Sequence, residues 1–177
     1  MELVRYRRGE GLRVFRHPAH AAAVHLPIGL LPASTVWDAL AVAGLGGEGV
    51  FWRVSFWTLA AGLVTAVPAV ATGFADFLAL TRAPASGRIS ERAADLAVYH
   101  LMTMLAAASA YGGALLARGG PAPPEGSRLA WTLVLSGLGL LLVAVGGWLG
   151  GDLVYSHGVG ARRPLASADD SPRGGPE

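Results

Sequence analysis

The chain is 177 residues long, 53% hydrophobic and 15% charged, with a mean hydropathy of +0.46; a soluble domain carries roughly 25% charged residues, so an ordinary soluble globule is excluded. Lysine is absent, every basic side chain is arginine, and no basic stripe interleaved with aromatics is present, which excludes a nucleic-acid partner. Zero cysteines rule out disulfides, thiolate metal sites, iron–sulfur ligation and covalent attachment of c-type haem.

Charges crowd into residues 1–18, 81–95 and 161–177. Residues 1–18 form an arginine-rich arm. The apolar run behind it is too long for the core of a cleavable signal and carries no clear cleavage site, so no removable leader is expected. A first span runs from about residue 19 to 43, opening in HPAHAAAVHLPIG and stopped by Gly44-Leu45-Gly46-Gly47. A second runs from about 51 to 80 and ends at TRAPASGRISER, where Pro84 and Gly87 break the helix. A third covers about 93 to 118, followed by GGPAPPEGS (119–127), through which no helix continues. The fourth covers about 129 to 155, and residues 161–177 are small, polar and expected to be disordered. Runs of about 20 apolar residues suffice to cross a bilayer. The expected fold is all-α: a four-transmembrane-helix, up-down-up-down bundle over residues 19–160, with no soluble module and no internal repeat.

Arginine sets the orientation. Arg5, Arg7, Arg8, Arg13, Arg16, Arg82, Arg88, Arg92, Arg162, Arg163 and Arg173 fall on one side, against Arg53, Arg118 and Arg128 on the other. By the positive-inside rule both termini are cytoplasmic.

That topology gathers all five histidines toward one face: His17, His20 and His25 on span one, His100 on span three and His157 after span four. Asp76, Asp95 and Asp152 fall at the same level, while Asp38, Glu48 and Glu125 are the acids of the opposite side. Ionisable groups at membrane depth are costly and mark function, although a histidine near a helix end also serves as an interfacial anchor. His25 and His100 are expected below the headgroups. Asp76 and Asp152 are candidates for carboxylates that orient imidazoles.

Two cofactor readings follow. Haem b needs axial ligands on opposite faces of the ring, and a four-helix bundle supplies them from facing helices. His17 and His20, three apart on one helix, cannot sandwich one iron, so ligands must come from different spans. Arg16, Arg82, Arg88, Arg92, Arg162 and Arg163 are placed to meet propionates, while Met102 and Met104 read as packing. A single transition-metal ion held by His20, His100 and His157 is the competing guest. Gly146/Gly150 and Gly147/Gly151 are small-xxx-small pairs, suited to close helix packing or to a flat macrocycle. Pro27, Pro32 and Pro68 kink spans one and two.

HPAHAAAVHLPIG, GFADF (Gly73–Phe77), Tyr99-His100 and GGDLVYSHGVG (Gly150–Gly160) occur in an order that resembles the bacterial membrane family called domain of unknown function 2231, over roughly residues 15–162. The resemblance implies a four-helix protein of the bacterial inner membrane, similar to b-type cytochromes. It also implies a role in respiratory electron transfer with a quinone, Rieske or cytochrome c partner. The family's histidines fall on His17, His20, His100 and His157, and its acidic residue on Asp76. His25 and Met104 depart from the pattern. The expected function is haem b binding and electron transfer, with the lipid bilayer as surroundings. A non-haem metal-binding or sensory protein and a cofactor-free assembly subunit of a respiratory complex are the alternatives. No catalytic constellation is recognisable, so no independent enzymatic activity is expected.

Overall fold

The computed structural model describes residues 4–7, 11–14, 17–47, 49–82 and 90–160. The tail 161–177, Arg8, Arg16, Glu48, Pro84, Gly87, Arg88, Arg162, Arg163 and Arg173 lie outside the described residues. Within them the expected spans appear as helices: α1 (Ala19–Ala23) running into α2 (His25–Val42), then α3 (Val50–Thr81), α4 (Glu91–Arg118) and α5 (Gly126–Tyr155). Four spans are long and apolar enough to cross a membrane, with α1 and α2 together forming the first. The division at Val24 has a local cause. Pro27 has no N–H to give the carbonyl of Ala23, yet Val24 N–H still reaches His20 O at 3.1 Å and Ile28 N–H reaches Val24 O at 3.0 Å, so the rod continues. At the start of α4 the Ser90 side chain accepts from Ala93 N–H at 3.2 Å, with Glu91 in the first turn, a favourable end for a helix dipole.

The N-terminal arm is not a featureless extension. It forms a three-stranded antiparallel sheet in the order β1 (Val4–Arg7), β2 (Gly11–Val14), β3 (His17–Pro18), with Arg5 opposite Arg13 and Val14 opposite His17. The alternation Val-Arg-Tyr-Arg, a glycine-rich turn signal and Leu-Arg-Val make a hairpin pattern. One expectation is corrected here: His17 and His20 do not share a helix. A residue before proline is pushed to extended backbone, so His17 stays in β3 and the helix begins at Ala19.

In the bundle α2 packs most closely on α3 and α4 on α5, forming two hairpins, while α2–α5 and α3–α4 contacts close the ring. Spans one and three therefore lie across the diagonal. The interior uses small side chains, among them Ala66, Ala69, Ala107, Ala110 and Ala114, around Leu31, Leu59, Tyr111 and Val143. Large apolar residues such as Val64, Leu116 and Leu141 face outward. Lipid gives apolar side chains no reason to hide, so close backbone approach between small residues holds such bundles together. Trp57 and Trp131 toward one end, and Tyr99, Trp148 and Tyr155 toward the other, are exposed as interfacial belts would be.

The burial pattern repeats. Pro27, Leu31, Ser34 and Asp38 on α2 are buried, and so are Ala107, Tyr111, Ala114 and Arg118 on α4, each eighty residues further on. Ser55, Leu59, Gly62, Ala66 and Ala69 on α3 are matched seventy-seven residues on by Thr132, Ser136, Gly139, Val143 and Gly146 on α5. The two hairpins share one register and are related by an approximate two-fold axis along the bundle, a common construction in membrane proteins. The sequence itself carries no repeat. The repeat is one of geometry, because only Gly62 and Gly139 are identical among these matched residues.

Candidate functional site

Each hairpin presents one imidazole toward the other. His20 of α1 donates Nδ1–H to Ala69 O of α3 at 2.9 Å. His100 of α4 donates Nδ1–H to Gly146 O of α5 at 2.8 Å. The accepting residues are matched positions in the repeat, and so are the glycines one turn beyond them. A Cβ at Gly73 would come within 2.8 Å of His20 Cε1, and one at Gly150 within 3.0 Å of His100 Cε1. Each ring is thus pinned by a carbonyl and seated on a glycine of its own hairpin. This gives GFADF and GGDLVYSHGVG a physical role: only a residue without a side chain leaves space for the ring.

The two rings face across the seam between hairpins with centroids 6.4 Å apart and planes at 81°. A carbonyl oxygen can only accept, so Nδ1 carries the proton in each neutral ring and Nε2 keeps its lone pair. Two acceptors cannot bond to each other. Nε2 of each ring is the nitrogen left to accept a hydrogen bond or to bind a Lewis acid.

The other predicted residues separate from this pair. His25 is exposed and its Nδ1 turns to Ala22 O of α1, in its own span, at 3.2 Å. His17 is exposed on β3, and His157 is half-buried just past α5. Among the described residues no group of three histidines, aspartates or glutamates could hold a metal ion, so His20, His100 and His157 do not assemble a common centre there. Asp76 accepts Leu12 N–H at 2.8 Å and so ties β2 to α3. Gly11, at φ +75°, lies so close that any side chain there would strike that carboxylate. Asp152 is half-buried and Asp95 exposed; the Asp76 carboxylate lies close enough to His20 to interact with it electrostatically, and the hydrogen bonds of the two imidazoles go to the backbone carbonyls. Met102 is exposed, and Met104 packs against Gly146. The Gly146/Gly150 pair faces α4, whereas Gly147 and Gly151 have open space or only Tyr155 beside them.

At the opposite end the same two spans meet again. Arg118 Nη2 donates to both oxygens of Asp38, at 2.5 and 2.6 Å, and the two side chains are 0% and 1% exposed. Ser136 Oγ donates to Asp38 Oδ2 at 3.3 Å, Arg118 Nη1 to Trp52 O at 3.4 Å, and the guanidinium lies 5.7 Å from the Trp52 ring centroid. Nearer this end than the other, Thr35 Oγ1 and Tyr111 OH are 3.2 Å apart. From sequence, Asp38 and Arg118 register only as charges of the far side. The available signal is spacing: each lies eighteen residues beyond His20 or His100, five turns at about 3.6 residues per turn, hence on the same helix face.

The sequence profile of a family described as Predicted membrane protein (DUF2231) matches residues 16–163. No curated protein and no solved structure matches the chain.

Proposed function

The chain belongs to that family of predicted membrane proteins, and from this footing we propose that it binds one haem b between His20 and His100 and serves as a one-electron carrier in the membrane. The observation that carries the reading is two imidazoles from different spans, each with Nδ1 held by a backbone carbonyl, at a centroid separation of 6.4 Å. A bare transition-metal ion takes four or more protein or solvent ligands, and among the described residues no third donor group joins the imidazoles. A porphyrin brings four equatorial nitrogens of its own and asks the protein for two axial ones. Two metal–nitrogen bonds of about 2 Å plus the inner halves of two rings add up to about 6 Å, close to the 6.4 Å between centroids.

The rings also have the preparation expected of ligands. Nδ1–H bonded to a backbone carbonyl fixes the tautomer, holds the ring plane and raises the basicity of Nε2. Ala69, Gly73, Gly146 and Gly150 do this in duplicate. When bound, the group would supply a ferric/ferrous couple, and His20 and His100 would hold its iron among the apolar helices. A membrane quinone or a Rieske or cytochrome c module is the redox partner in this reading. The arginine distribution supports cytoplasmic termini, in the inner membrane of a bacterium.

The test is purification in mild detergent from haem-supplied cells, with haem measured as the pyridine complex. One haem per chain is expected. It is lost in His20→Ala and in His100→Ala and retained in His17→Ala, His25→Ala and His157→Ala. A folded protein that takes up no haem, or one that loses it equally in His25→Ala, refutes the assignment.

A further inference from the structure

The repeat raises a question of pairing. The two hairpins bury one register, so the helix faces that meet within a chain can also meet, in the same register, between a hairpin and one of a second copy. Something must select. We infer that the Asp38–Arg118 pair is the key that makes the first hairpin dock on the second, and that without this rule each hairpin accepts the corresponding surface of another chain.

The residues support this directly. Asp38 and Arg118 occupy matched positions, eighty residues apart, in the buried registers of α2 and α4. They meet across the approximate two-fold axis. On such an axis a residue faces its own counterpart, so a first hairpin paired with another first hairpin sets Asp38 against Asp38, and two second hairpins set Arg118 against Arg118. Both arrangements bury like charges without a counterion, which costs far more than a buried pair of opposite charges. Among the described residues the other side-chain contacts across the diagonal join like groups, the imidazoles of His20 and His100 and the hydroxyls of Thr35 and Tyr111. Contacts between like groups discriminate weakly. Opposite charges at one matched position are a device for specificity, because they penalise the wrong partner more than they reward the right one. Burial is what gives the penalty force: at 0% and 1% side-chain exposure neither group can turn to water.

This inference is independent of any cofactor and is tested on full-length chains. Asp38→Arg sets arginine against arginine within one chain, and Arg118→Asp sets aspartate against aspartate. Expressed alone, each variant should yield about tenfold less folded, detergent-extracted protein than the wild type. Expressed together with different tags, the two variants can exchange hairpins. The introduced arginine of one chain then meets the introduced aspartate of the other, and the native Asp38 and Arg118 that remain meet each other. The expected result is mutual rescue to near wild-type yield, with both tags in one particle at equal amounts. The double variant Asp38→Arg/Arg118→Asp should fold in a single chain, without exchange. Wild-type accumulation of either single variant expressed alone overturns the inference. So does failure of the double variant to fold, and so does failure of the co-expressed pair to rescue each other.

Discussion

The two ends of this bundle are made from the same pair of helices and reach opposite chemical outcomes. At one end, spans one and three bring together two imidazoles whose Nδ1 atoms are occupied by carbonyls and whose planes cross at 81°. At the other, eighteen residues along, they bring together a carboxylate and a guanidinium that satisfy each other and draw in Ser136 and the Trp52 carbonyl. A closed electrostatic contact belongs to assembly. A pair of imidazoles held by their Nδ1 atoms belongs, in the function proposed, to binding. The difference shows why counting ionisable groups at membrane depth is not enough: both ends score alike by cost, and only the inventory of donors and acceptors tells them apart.

The contrast can be broken from the far end first. Arg118→Leu strands a buried carboxylate and should cost about 3–5 kcal/mol, whereas Asp38→Leu with Arg118→Leu should come close to neutral. Unfolding in detergent of the three proteins checks this, and a single variant as stable as the double removes the pair from its structural role. Next in size are the glycine seats. Gly73→Ala drives a Cβ to 2.8 Å from His20 and Gly139→Ala drives one to 2.7 Å from the Tyr111 ring, each an overpacking worth about 1–3 kcal/mol. Their effects should differ in kind. Gly73→Ala weakens haem retention together with stability, while Gly139→Ala lowers stability and leaves the haem ratio alone. Gly147→Ala, in open space, should do neither. Smaller again is the tie between arm and bundle. Asp76→Ala removes the acceptor of Leu12 N–H and should loosen β2 by about 1.5–3 kcal/mol locally, as for a hydrogen bond to a charged group. Faster amide exchange at Leu12, with α4 and α5 unchanged, is the expected signature.

What is legible in the sequence follows the same division. The spans are legible because lipid imposes a length and a composition on any crossing helix, and proline and glycine mark the ends. The histidines are legible as a group because they are few and sit where the apolar runs begin. Which two of them meet is not legible, since that depends on the angular position of each ring around the bundle axis; His25 is five residues from His20 and points elsewhere. The glycines read as packing or as space for a macrocycle, whereas Gly73 and Gly150 seat imidazoles. The sheet of β1, β2 and β3 is hidden because its arginines read as a topology signal and obscure the alternation. The repeat is masked because matched positions hold unlike residues, aspartate against arginine being the extreme case.

The most direct measurement is the low-temperature electron paramagnetic resonance spectrum of the ferric, haem-loaded protein. Two imidazole ligands whose planes cross near the 81° of the rings should give a strongly anisotropic low-spin signal, converted to high spin by replacing either His20 or His100 with alanine. A high-spin spectrum in the parent, or a low-spin one that survives both replacements, would contradict the account.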